Sequence, residues 1–246
     1  MEWEAPAVLL DVRPFGEGDG IATVLTAEHG AYRGLARGAQ SRSRAATWQR
    51  GNLVQARWVA RIADQLGNLT AELVHPSAAL ALDDAWSLAI LSAACAVAEG
   101  ALGEREPHPL AFDGLVRVLA QLPQGMSVLA DLVRWEAALL GELGYGLDFG
   151  CCAVTGATND LRYVSPRTGR AVSQAGAGSY QARLLPLPDF LLGDGAGAPT
   201  AWRDGLRLTG HFLARDAFGL QHRPLPPARI ALYHRVCDLA AEPAHA

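Results

Sequence analysis

The sequence predicts an α+β chain: a small five-stranded β-barrel first, then an α-helical domain that carries an irregular insert. Three observations predict it. Through about the first 75 residues, apolar and polar side chains alternate in short runs broken by glycine, the period-two signature of strands with one buried face. After His75-Pro76 the period becomes helical. Between about residues 150 and 178 that period vanishes and turn-forming residues dominate. A length of 246 residues suits two or three compact domains, and a half-hydrophobic composition excludes wholesale disorder.

Residues 7–13 place Val8, Leu10 and Val12 on one face and Asp11 and Arg13 on the other. A glycine-rich turn over 14–20 leads to a strand at 21–26, a Glu28-His29-Gly30 turn and a strand at 31–37. After an Arg/Ser/Gln loop, 53–62 alternates with Val54, Ala56, Trp58 and Ala60 inward, and 69–74 follows the Gly67-Asn68 turn. Five short strands in this length point to a closed or partly open barrel, most commonly an OB-fold, with a domain boundary at 1–77. Residues 78–99 are apolar nearly all round and predict a buried helix capped by Ser77. A second helix over 110–122 puts Phe112, Leu115, Val116, Leu119 and Leu122 on one face. A third, 128–143, ends at Gly144 and Gly146 and completes a helical domain over 78–149. The insert covers 150–182. The remainder, 183–246, is a helical part expected to pack with 78–149. Its helices are 202–218 (Trp202, Leu206, Thr209 and Leu213 inward) and 227–240 (Ile230, Tyr233, Val236 and Cys237 inward).

The chain has 21 basic and 25 acidic residues, a net charge of −4, and every basic residue is arginine. The average argues against a nucleic-acid partner, but the distribution does not. No acid occurs between Glu28 and Asp64, an interval that holds Arg33, Arg37, Arg42, Arg44, Arg50, Arg57 and Arg61. Period-two geometry puts Arg33 with Arg37, and Arg57 with Arg61, on outward strand faces. Arg42, Arg44 and Arg50 lie in the loop between, with Tyr32, Trp48 and Trp58 interleaved. Basic groups that neutralise phosphate, beside an aromatic platform such as Trp48, form the footprint of single-strand binding on a barrel. The competing reading is a solvated face whose barrel binds a protein, making the chain an interaction adaptor.

The N-terminal run Val8-Leu9-Leu10-Asp11-Val12-Arg13-Pro14-Phe15-Gly16-Glu17, then Leu25-Thr26-Ala27-Glu28-His29-Gly30 and Ala36-Arg37-Gly38, resembles the RecO family of bacterial recombination mediators. Leu139-Leu140-Gly141-Glu142-Leu143-Gly144-Tyr145-Gly146-Leu147, Cys152-Ala153-Val154-Thr155-Gly156 and Tyr163-Val164-Ser165-Pro166-Arg167-Thr168-Gly169 extend the resemblance over about residues 5–240. It implies an OB-fold, a helical domain and a zinc-ribbon-like insert. It also implies binding of single- and double-stranded DNA and annealing of complementary strands. With RecR, such a protein loads RecA onto strands coated by single-stranded-DNA-binding protein. One departure matters. The two CxxC pairs of many members map to Cys152, Thr155, Ser173 and Gly176, so one thiolate of four survives. The insert is therefore degenerate, with no zinc expected, and must hold by hydrogen bonds and packing.

Other sites are weaker. Arg203, Arg207 and Arg215, with His211, line a helical face that would extend a DNA path or accept the acidic tail of single-stranded-DNA-binding protein. His211, His222 and His234 lack metal-ligand spacing, Gly16-x-Gly18-x-Gly20 precedes a strand, and no Walker A motif occurs. A hydrolase using Cys152 or Ser165 ranks last, so no enzyme activity is expected. Cys95 and Cys237 fall on apolar helical stripes, and four scattered cysteines are no secreted disulfide framework. The acidic start Met1-Glu2-Trp3-Glu4 is no signal peptide, and the apolar run 85–98 is too short to cross a bilayer. The chain reads as cytoplasmic and nucleoid-associated, without a membrane partner.

Overall fold

The computed structural model describes residues 1–62, 65–193 and 195–242. Asp64, which closes the acid-free interval, and residues 243–246 of the expected last domain lie outside the described residues. Two compact units form, Met1–Val128 and Leu129–Ala246, and the divide falls inside the 78–149 span.

In the first unit, β1 (Glu2–Phe15), β2 (Asp19–Thr26), β3 (Gly30–Ala36), β4 (Leu53–Val59) and β5 (Gly67–His75) close a barrel in the order β1-β2-β3-β5-β4. This is the five-stranded barrel expected of an OB-fold. All neighbours are antiparallel except β3 and β5, which pair in parallel through Gly34 with Gly67 and Leu35 with Asn68. The seam closes over Trp58, 1% exposed, whose indole Nε1 donates to the Arg33 carbonyl at 3.1 Å. A Cβ at Gly67 would lie 2.3 Å from that ring, and one at Gly34 would lie 2.7 Å from Leu69 Cβ. Glycine is required at both.

The first strand departs from the predicted phase. Ala7 and Leu9 face the barrel core while Val8 and Leu10 are buried as well, so β1 is covered on both faces. A bulge between Leu9 and Asp11 then shifts the register by one, which returns Val12 to the core side. Strands β3 and β4 stop at Ala36 and Val59. Arg37 and Arg61 thus lie beyond the strands, and the expected pairing of each with Arg33 or Arg57 on one face does not occur.

The expected helix 78–99 is broken in two. The short α1 (Ser77–Ala81) ends, and α2 (Ala85–Ala101) restarts where the Asp84 carboxylate accepts the Ser87 N–H at 2.7 Å. Ser77 is buried inside α1 and bonds His75 Nδ1, so Asp84 is the side-chain cap and Ser77 is not. Within the unit α2 lies close to the barrel, for a Cβ at Gly51 would come 2.7 Å from Leu91 Cδ1. Cys95 is fully buried there and burial pushes its thiol up to about 12, the behaviour of a core residue. Helix α3 (Pro109–Ala120) buries Phe112, Leu115 and Leu119 with Val118, while Val116 is only half-buried.

In the second unit, α4 (Leu129–Glu142) is followed by a segment that is less irregular than expected. Here β6 (Leu161–Val164), β7 (Ala171–Ser173) and β8 (Leu185–Pro186) form a three-stranded sheet, order β7-β6-β8, with the single turn α5 (Gln174–Ala177) after β7. Then come α6 (Pro199–Phe212) and α7 (Pro227–Ala241). The inward face of α7 is Arg229, Leu232 and Val236; Ile230 is 39% exposed, and Tyr233 and Cys237 are half-buried. Periodicity misses this face because its anchor is charged. Arg229 grips the buried Glu136 of α4 by two bonds, 2.5 and 2.9 Å, and donates to Leu206 O of α6; Thr209 completes the knot.

Gly67→Ala should destabilise the chain by about 1–3 kcal/mol through overpacking on Trp58. Gly18→Ala, whose Cβ meets nothing within 4 Å, should stay within about 0.5 kcal/mol of the parent. Urea denaturation checks both, and equal midpoints would refute the account of the seam.

Candidate nucleic-acid interface

The long connection from Ala36 to Leu53 carries Arg37, Arg42, Arg44 and Arg50, and its backbone is fixed. Successive turn bonds run from Ser41 N to Gly38 O, Arg44 N to Ser41 O and Thr47 N to Arg44 O, all within 2.9–3.0 Å. Gly38, at φ +66°, makes the first reversal, and its N–H donates to the Asp19 carboxylate at 2.7 Å. Gln40 N donates to Gly18 O, tying the loop to the β1–β2 hairpin. From below, Ala39 and Trp48 plug the barrel core. Asn52, 1% exposed, binds the carbonyls of Ala46 and Thr47 through its amide nitrogen and accepts the Ala78 N–H. Only side chains remain to be ordered when a ligand arrives.

The seven arginines of the acid-free interval divide by their partners. Arg33 is paired with Glu104, Arg50 with Asp11 and Arg57 with Glu2, each at 2.5 Å. Burial pushes the Asp11 carboxyl up, but hydrogen bonds from Arg13 and Arg50 outweigh it and hold Asp11 below its ordinary value. Arg37, Arg42, Arg44 and Arg61 make no ion pair among the described residues, and the first three share one exposed loop. Arg44 Nη1 donates to Arg37 O at 3.0 Å, which braces the loop crest. The basic surface is therefore narrower than the sequence predicts: it is the 37–44 crest, with Arg61 apart.

Trp48 is 7% exposed and belongs to the barrel core. The expected stacking role is corrected: its ring is spent on plugging the barrel. A groove of about 410 Å³ beside it is lined by Glu4 and Glu72 as well as Arg44 and Arg57. With Glu2 paired to Arg57, that outer face is of mixed charge, three acids to two arginines. The helical-face arginines are likewise partly spent. Arg203 pairs with Asp204 and Arg215 with Asp216, both at 2.7 Å. Arg215 and His211 also bind Pro166 O, so the end of α6 and the helical turn after it pin the β6–β7 turn. Arg207 is exposed without an ion pair among the described residues.

Two family models match, "Recombination protein O N terminal" over residues 1–77 and "Recombination protein O C terminal" over 82–224. The chain belongs to the RecO family. It is 59% identical over 242 residues to the DNA repair protein RecO of Granulibacter bethesdensis, covering 97% of each chain. The RecO of Gluconacetobacter diazotrophicus is 55% identical over 94% of each chain, and that of Rhodospirillum rubrum 43% identical over 96% of each.

The zinc positions implied by the RecO resemblance do converge. Ser173 Oγ lies 3.3 Å from both Cys152 Sγ and Thr155 Oγ1, and a Cβ at Gly176 would stand 2.8 Å from Cys152 Sγ. The donor set does not fit zinc, because one thiolate stands where a structural site takes four nitrogen or sulfur ligands. Cys151 is half-buried, with its sulfur 4.0 Å from Arg170 Nη2. Among the described residues no group of three or more His, Cys, Asp or Glu could hold a metal. Hydrogen bonds occupy the place instead: Cys152 Sγ accepts from the N–H groups of Val154, Thr155 and Ser173 and from Ser173 Oγ, at 3.2–3.4 Å. Burial pushes this thiol up, but the Ser173 and Thr155 donors together overcome it and bring it down to about 6.

The Cys152 thiol ionises near its ordinary 9.0 when unfolded. The stability its thiolate contributes is therefore fully present above that pH and lost as pH falls through about 6. The denaturation midpoint of the parent should rise from pH 6 to 9 more steeply than that of Cys152→Ala. Identical pH profiles would refute the hydrogen-bonded thiolate.

Proposed function

We propose that this RecO-family chain is a non-catalytic DNA-binding factor that anneals complementary strands and, with RecR, helps load RecA onto DNA coated by single-stranded-DNA-binding protein. The observation that carries the reading is the 37–44 crest: three exposed arginines on a braced backbone, without acidic partners among the described residues. Annealing needs phosphate repulsion screened without sequence readout, since both strands must be held whatever their bases. Guanidinium groups contacting phosphate supply that on single strands and on duplex alike. No helix among the described residues is long and apolar enough to cross a membrane, and the place of action we propose is the cytoplasm, at the nucleoid. Exposed Arg207 on α6 supports a contact with the acidic tail of single-stranded-DNA-binding protein. The mixed-charge groove lined by Glu4, Arg44, Arg57 and Glu72 favours a second reading, in which the barrel binds a protein.

Fluorescence anisotropy of a labelled single strand across salt concentrations separates the two. Three phosphate contacts give a log–log slope of about −2. Joint replacement of Arg37, Arg42 and Arg44 by alanine should remove most of that slope and depress strand annealing with it. Salt-independent or absent binding at low salt would leave the protein-binding reading standing.

A further inference from the structure

Resting on that reading, we infer that Phe15 is the base-stacking side chain of the interface, and that the β1–β2 hairpin tip and the 37–44 crest together form one site that prefers single strands. Phe15 is 51% exposed, at the end of β1, where it pairs with Asp19 across the hairpin. Two bonds join this hairpin to the crest, Gln40 N to Gly18 O at 3.1 Å and Gly38 N to the Asp19 carboxylate at 2.7 Å. The junction is tight as well as bonded, for a Cβ at Gly20 would meet Ala39 Cβ at 3.3 Å. The ring and the arginines are thus held in a fixed relation and do not sit on independent loops.

Beyond the junction the tip stands open. Gly16, at φ +62°, turns the chain directly after Phe15, and a Cβ at Gly16 or Gly18 would meet nothing within 4 Å. A planar base has room there. Glu17, exposed on the same tip, disfavours a phosphate at that point. The tip therefore suits the face of a base, and the backbone of the strand falls to Arg37, Arg42 and Arg44. Only an unpaired strand offers both at once, because in a duplex the base faces are stacked inside. The arginine contacts serve either form, so Phe15 sets the preference between them. Trp48, the aromatic residue nearest those arginines in sequence, is excluded by its burial.

The test uses the full chain with a labelled oligothymidylate and a duplex of equal length. Phe15→Ala should weaken single-strand binding about 5- to 150-fold, the range one stacked base is worth, and leave duplex affinity and the salt slope unchanged. Phe15→Trp should restore affinity, with indole fluorescence beyond the parent's quenched on adding the oligonucleotide. Unchanged single-strand affinity in Phe15→Ala overturns the inference, and equal loss on both probes overturns it too. If the arginine variants lose binding while Phe15→Ala does not, the proposed function survives and the stacking role falls. If the parent chain binds neither probe, both fall.

Discussion

The barrel depends on how it closes over one ring. Trp58 fills the interior at the narrow parallel seam between β3 and β5, and the seam exists because Gly34 and Gly67 leave the indole its space. Removing such a side chain from a core costs about 3–5 kcal/mol, but its positional effect matters more for function. The indole N–H is satisfied by the Arg33 carbonyl, so the ring fixes the course of β3 as well as filling volume. Strand β3 launches the arginine-bearing loop, and the loop returns through Trp48 and Asn52, both buried. The crest is therefore suspended between two anchored ends.

Closure also decides which arginines stay available. The acids that neutralise Arg57 and Arg50 are 55 and 39 residues away in sequence, and they come alongside because both lie on β1, which pairs with β4 and bonds the end of the arginine-bearing loop at Gly51 and Asn52. An exposed pair such as Arg57–Glu2 is worth about 0–1 kcal/mol in stability. The larger consequence is electrostatic, since a guanidinium already facing a carboxylate adds little to the attraction of phosphate. An acid-free window in the sequence measures local composition. A free cation is a property of three-dimensional neighbours, and among the described residues the two agree at the 37–44 crest and at Arg61.

The strand count and order of the barrel and the rough helix positions were legible because period-two and helical patterns report burial on one face, while the short strands β6–β8 were not. The pattern failed wherever burial did not follow one face. In β1, cover on both sides and a bulge at Leu9–Asp11 erased the alternation that residues 7–13 seemed to define. The break at Asp84 sits in an apolar stretch, where a cap residue alone signals it. In α7 one of the three buried side chains is Arg229, and a charge reads as solvent-facing until its buried partner Glu136, 93 residues away, is known. Breaking such a pair costs about 3–5 kcal/mol because it strands a buried charge, so its worth lies in fixing how α4, α6 and α7 meet. Trp48 failed for the opposite reason: proximity to arginines in sequence said nothing of which way the ring points. Of the candidate site, the loop was legible, while its division into paired and unpaired cations was not.

An acidic chain can hold DNA because charge acts locally. At physiological ionic strength the screening length is about 8 Å, so the net charge of −4 is not felt at the crest as a single field. A phosphate at Arg42 responds to groups within one or two screening lengths; the loop itself carries serines, glutamine and alanine but no acid, and the Asp19 carboxylate that touches it is engaged by the Gly38 N–H. The same logic bears on the annealing activity proposed for the narrow basic crest. A broad cationic surface would hold each strand along its whole length and resist exchange, whereas a few fixed guanidinium groups neutralise phosphates at the point of contact. The rest of each strand stays free to pair.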